Sequence, residues 1–152
     1  IDKVGRRKLL LNGCAIMTVC LALIGFGYLG LFGNHLHLFT LLLVLVFIAA
    51  FAVSLGGIPY VMMAELFPLN ARSSGMALAS CANWGFNILV SSTFLTLVYV
   101  LGIGTTFILY AALTLMSLFF VWRFVPETKN VSLEKIEANL FNNKPLRKLG
   151  DH

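Results

Sequence analysis

Ser80, Asn83, Trp84, Asn87 and Ser91 recur at intervals of three and four residues, which places two carboxamides, an indole and two hydroxyls on one stripe of a helix. A carboxamide both donates and accepts hydrogen bonds, and an indole offers a flat apolar face. Such a stripe suits a neutral, hydroxyl-rich solute, with Tyr60 as a second flat ring. No acid or base lies nearby in the apolar run to hold a carboxylate or an ammonium group. Just upstream, Gly56, Gly57 and Pro59 interrupt the backbone ahead of Tyr60, and Glu65 and Arg72 flank a turn.

These residues sit in a chain built for lipid. Of its 152 residues, 59% are hydrophobic and only 11% charged, where soluble domains carry about 25% charged residues. Four apolar segments, 9–31, 38–67 (apolar as far as about Met63), 75–101 and 105–125, each exceed the ~20 residues that cross a bilayer core. The expected fold class is an all-α membrane protein with four transmembrane helices. Residues 1–8 form a cytoplasmic loop and 126–152 a cytoplasmic tail.

Orientation follows from the bases. An even number of crossings puts both ends on one side, and all 11 Lys and Arg fall there: in residues 3–8, at Arg72 in the middle turn, and from Arg123 onward. The positive-inside rule makes that side cytoplasmic, in a plasma or inner membrane. The net charge of +5 is thereby explained by topology and points to no nucleic acid.

The break at 55–59 is compatible with a passive packing kink or with broken backbone that lines a wet cavity. Helix geometry puts Tyr60 ~10 Å and Gly56 ~16 Å above Phe67, and Asn83 ~15 Å and Asn87 ~21 Å above Ser73. Break and amides therefore meet near the midplane, where a transporter's site is expected. A structural hydrogen-bond network is the competing reading. Cys14, Cys20 and Cys81 lie inside spans without paired spacing and are expected to be buried free thiols. His35 and His37 do not share a helix face, so no metal site is expected. No cofactor is implied, and no nucleophile or carboxylate pair suggests an enzyme.

Several motifs in order resemble the sugar porters of the major facilitator superfamily. Asp2-Lys-Val-Gly-Arg-Arg7 resembles their loop between helices 8 and 9, and Pro59-Tyr60 with Ala64-Glu65-Leu-Phe-Pro68 their helix 10. Arg72 resembles the loop arginine that follows, Asn83-Trp84 with Asn87 their helix 11, and Pro126-Glu-Thr-Lys129 the signature after helix 12. The resemblance covers residues 2–141. It implies helices 9 to 12 of a transporter, a partial C-terminal bundle that moves a monosaccharide by alternating access, with or without proton coupling. Its partners would be the sugar, the bilayer and the remaining helices of the same transporter.

By position, the resemblance makes Gly56, Tyr60, Asn83, Trp84 and Asn87 the substrate-binding residues, and Gly57 and Pro59 the hinge. Glu65 and Arg72, with Arg6 and Arg7, would form the cytoplasmic charge network that latches the two halves. Tyr60 departs from the family, where Trp is common, and Gly56-Gly57 departs from Gly-Pro. The stripe Thr106, Tyr110, Thr114 and Ser117 is assigned to packing, because family analogy puts helix 12 outside the cavity. In the tail, Ser132 can cap a short helix with Leu133, Ile136 and Leu140 on one face. The missing initiator Met suggests a fragment. The alternative is a self-contained four-helix membrane protein, a small oligomeric exporter or a non-transporting subunit.

Overall fold

The structure is a computed structural model that describes residues 5–31, 36–67 and 71–127, with backbone alone for 31, 36 and 64–66. The tail expectations at Ser132, Leu133, Ile136 and Leu140 lie outside the described residues, as do Asp2, Pro68 and Lys129. Among the described residues, five α-helices form: α1 (Arg6–Phe26), α2 (Leu36–Val53), α3 (Ile58–Leu66), α4 (Arg72–Leu101) and α5 (Ile103–Phe124). With α2 and α3 read as one broken span, four helical spans among the described residues are long and apolar enough to cross a membrane, at 25, 27, 30 and 22 residues. The 30-residue α4 measures about 45 Å at 1.5 Å per residue, so it must tilt or project beyond the hydrocarbon.

α1 is the axis of the packing. It holds eight buried residues, whereas α4 holds none. Its main neighbour is α5, then α2. The α1–α5 contact depends on two glycines. A Cβ on Gly25 would stand 2.9 Å from the Gly104 carbonyl oxygen, and one on Gly104 would stand 3.0 Å from that of Gly25. Lipid supplies no hydrophobic drive between helices, so close backbone approach and dispersion contacts hold such a pair together. Thr18 adds an interhelical bond, its hydroxyl directed to the Cys14 carbonyl at 2.7 Å and to Thr114 Oγ1 at 3.1 Å. Beside these, Leu10, Ile58, Met62 and Val121 form a small buried cluster that joins α1, α3 and α5.

The two end helices cap each other. α1 begins with Arg6, Arg7 and Lys8 and has no acid in its first turn, which is unfavourable at the positive end of a helix dipole. Glu127, from beyond α5, supplies the missing carboxylate: the Arg6 backbone N–H donates to its Oε1 at 3.0 Å. Gly5 makes room for it, since it has φ 93° and a Cβ there would lie 2.7 Å from Glu127 Oε2. In return, Arg7 Nη2 donates to the Trp122 carbonyl at 2.6 Å. That carbonyl is orphaned because Pro126, four residues on, has no N–H to give it. The start of α1 and the end of α5 therefore lie together at one end of the bundle.

The second span breaks at 54–57. Gly56 N–H reaches back five residues to the Phe51 carbonyl at 2.8 Å, which widens the backbone, and the Ser54 hydroxyl satisfies the Ala50 carbonyl at 2.6 Å. Pro59 falls in the first turn of α3, where a missing N–H removes no helical bond. The interruption is thus made at Ser54 to Gly57, and Pro59 starts the new helix. Ser54 is buried against Gly13 of α1, where any side chain would collide with it. The broken segment is thereby seated on α1 at one small residue.

Arg72 is the first residue of α4, not a loop residue, and its Nε donates to the Phe67 carbonyl at 3.4 Å. Cys14 and Cys20 are buried as expected. Cys81 is exposed, on α4, which holds no buried residue.

Candidate functional site

The hydroxyl of Tyr60, two residues into α3, lies 2.9 Å from Nδ2 of Asn83 on α4. One turn along, Asn87 Nδ2 donates to the Asn83 backbone carbonyl at 3.0 Å and faces Asn83 Oδ1 at 3.5 Å. Three residues of the sequence-derived stripe and break thus form one connected cluster. Asn83, Trp84 and Asn87 are exposed and Tyr60 is half-buried, so the cluster opens outward from this unit rather than into its packing. Trp84 is 65% exposed beside it, a broad ring free of the unit's core.

The other residues singled out in the sequence are placed as follows. Gly56 and Gly57 are exposed at the break beside Tyr60, and Pro59 is half-buried. Pro59 lines a cavity of about 820 Å³ on another face of α3, together with Leu10, Met62, Phe67 and Val121. Glu65 lies in α3, and its side chain is outside the described residues. The Arg7 and Arg72 guanidiniums donate to main-chain carbonyls within the bundle, and Arg6 contributes its backbone N–H to Glu127.

The α5 stripe behaves differently from the α4 stripe. Thr106, Thr114 and Ser117 return their hydroxyls to the Gly102, Ala111 and Leu113 carbonyls at 2.8, 2.9 and 3.1 Å, and Tyr110 stacks on Phe94. The hydroxyls of Thr106, Thr114 and Ser117 donate within α5, with Thr114 also accepting from Thr18 of α1, whereas the Tyr110 hydroxyl is buried with no hydrogen-bond partner among the described residues. Sequence reasoning missed the roles of Ser54 and Gly13, although the small side chain at each was the available signal.

A family model described as "Sugar (and other) transporter" matches residues 1–140. The chain belongs to the sugar transporter family. Among its relatives, the galactose-proton symporter of Escherichia coli is 36% identical over 153 residues, covering 100% of this chain and 33% of that protein. The D-xylose-proton symporter-like 1 protein of Arabidopsis thaliana is 39% identical over 138 residues, 91% of this chain and 27% of that protein. A crystal structure of a double-tryptophan mutant of XylE superimposes with a TM-score of 0.81 at 32% identity, over 91% of this chain and 30% of that one. This sugar transporter chain therefore has the all-α membrane architecture of a major facilitator sugar porter. It spans about a third of the length of the curated relatives it matches.

Proposed function

We propose that this chain forms the last four membrane helices of a transporter that carries a monosaccharide across the membrane by alternating access. The observation that carries the reading is the Tyr60–Asn83–Asn87 cluster, polar, uncharged and open, set directly beyond a helix break at 54–57. Transporter sites lie at discontinuous helices near the midplane, and a charge-free pair of carboxamides beside flat aromatic rings fits a neutral polyol. Tyr60, Asn83, Trp84 and Asn87 bind the sugar, with Gly56 at the wall of the site. Gly57 and the first turn of α3 at Pro59 act as the hinge. Arg6, Arg7, Glu65 and Arg72 form the inner charge cluster, and the bases around both ends place that side in the cytoplasm.

The relatives named as proton symporters raise proton coupling. The four spans carry no acid in their centres, so a coupling carboxylate would come from the remaining helices of the transporter. The test is uptake of radiolabelled D-glucose, D-galactose and D-xylose by proteoliposomes that contain the full-length transporter. Saturable uptake of at least one, abolished or strongly weakened by Asn87→Ala, is expected. Absence of saturable uptake of all three, from protein that is folded and correctly inserted, would overturn the reading.

A further inference from the structure

The hydrogen bonds of the cluster have a fixed direction. The backbone carbonyl of Asn83 can only accept, so the Asn87 atom 3.0 Å from it must be the amide nitrogen. That nitrogen also faces the Asn83 side chain at 3.5 Å, where only an acceptor is compatible, so Asn83 turns Oδ1 toward Asn87. Its Nδ2 is then left to face Tyr60, and at 2.9 Å the phenol oxygen must accept.

We propose that Tyr60 is a positioning residue that sets the hydrogen-bond polarity of the sugar site. By accepting from Asn83, its hydroxyl holds an amide N–H inside the protein, keeps Asn83 Oδ1 beside Asn87, and leaves its own single proton and the Asn87 Oδ1 for the solute. The site then asks for two different things of a polyol. One sugar oxygen must accept, from Tyr60, and one sugar hydroxyl must donate, to Asn87. The direction depends on the phenol. A tryptophan here would offer an indole N–H that donates and cannot accept. With Trp at position 60, two donors would face each other, and the Asn83 amide would have to turn over or lose its partner. The same two carboxamides would then present a different pattern to the same solute.

Tyr60 also begins the segment beyond the break, so this bond ties α3 to α4 at the site itself. A rotation of α3 that withdraws the phenol frees the Asn83 amide in the same step. This inference rests on the sugar-binding reading above, and the experiment separates the two. The full-length transporter, with Tyr60→Phe and Tyr60→Trp variants, is titrated by competition with D-glucose and D-galactose and with their single-position deoxy and deoxyfluoro analogues. Fluorine can accept weakly but cannot donate, so it marks which partner each sugar position meets.

In the unaltered protein, the deoxyfluoro analogue is expected to bind better than the deoxy analogue at one position and no better at another. Tyr60→Phe should weaken the parent sugar by about three- to tenfold, the scale of one hydrogen bond, and erase the fluoro advantage at the first position. Tyr60→Trp should move the fluoro tolerance to a different position, because the Asn83 amide has turned. An analogue profile that is the same in all three proteins would overturn the positioning role while leaving sugar binding intact. Failure of both sugars to bind the unaltered protein would overturn the proposed function, and this inference with it.

Discussion

The reciprocal caps between the start of α1 and the end of α5 make a quantitative prediction. Arg7→Met keeps an unbranched apolar stem of similar length but removes the donor that satisfies the Trp122 carbonyl at 2.6 Å. Pro126 cannot take its place, so the carbonyl at the negative end of α5 is left without a protein partner. A hydrogen bond to a charged group is worth about 1.5–3 kcal/mol, and a cation at a helix C-terminus adds about 0.3–1 kcal/mol. Arg7 is half-buried, so solvent screening brings the sum to the low end, about 1.5 kcal/mol. In a local opening equilibrium, that is roughly a tenfold change in amide exchange. Hydrogen exchange read by mass spectrometry on the full-length transporter in detergent should show about tenfold faster exchange in the last turn of α5. Glu127→Ala should produce a similar acceleration at the first turn of α1 instead. Equal, uniform acceleration over all helices in both variants, or none at either end, would refute the paired-cap account.

Other perturbations separate site from scaffold. Asn87→Ala should weaken sugar binding about tenfold or more, since buried partners left unpaired on a bound solute cost roughly 1–3 kcal/mol. Trp84→Leu should weaken binding with expression intact, while Thr114→Ala, on locally satisfied hydroxyls, should leave affinity unchanged; calorimetric titration distinguishes the three. Gly104→Val forces α1 and α5 apart at a 3.0 Å approach and should cost about 1–3 kcal/mol, seen as a lowered thermal midpoint with the Asn87 site unaltered in ligand preference. Arg72→Ala removes the tie from α4 to the end of α3 and should shift the inward-to-outward ratio, read by labelling a cavity cysteine from each side. An unchanged ratio would leave Arg72 as a local tie alone.

Periodicity made the α4 stripe visible, because a polar residue every three or four positions in an apolar helix stands out. Counting helical rise from the turn between the spans put Gly56 level with Asn83 and Tyr60 about 5 Å lower, yet it is the Tyr60 hydroxyl that bonds Asn83, at 2.9 Å. The position of the break was less legible. Proline was the obvious breaker, yet it sits harmlessly in a first turn, and the widening comes from a five-residue bond by Gly56 that leaves no signature in composition. The reciprocal caps were hidden for a different reason. Pro126 announces an orphan carbonyl, but nothing local says that the donor lies 115 residues away. The exposure of Cys81 was not foreseen because a thiol in an apolar run reads as core, and one-dimensional hydropathy does not separate a face toward protein from a face toward lipid.

The unequal burial of α1 and α4 has a consequence for how such a protein can change over generations. Gly13, Gly25 and Gly104, where an added Cβ would crowd a neighbouring helix, belong to the α1 axis and the partners packed on it, while α4, closed in this way at Gly75 against Phe67, has no buried residue within this unit. On the proposed reading, selection for a different solute can draw on substitutions along α4 beyond Gly75 without disturbing the seam that holds the unit together. On that reading stability and specificity rest on different helices, and a lineage can revise one while it inherits the other.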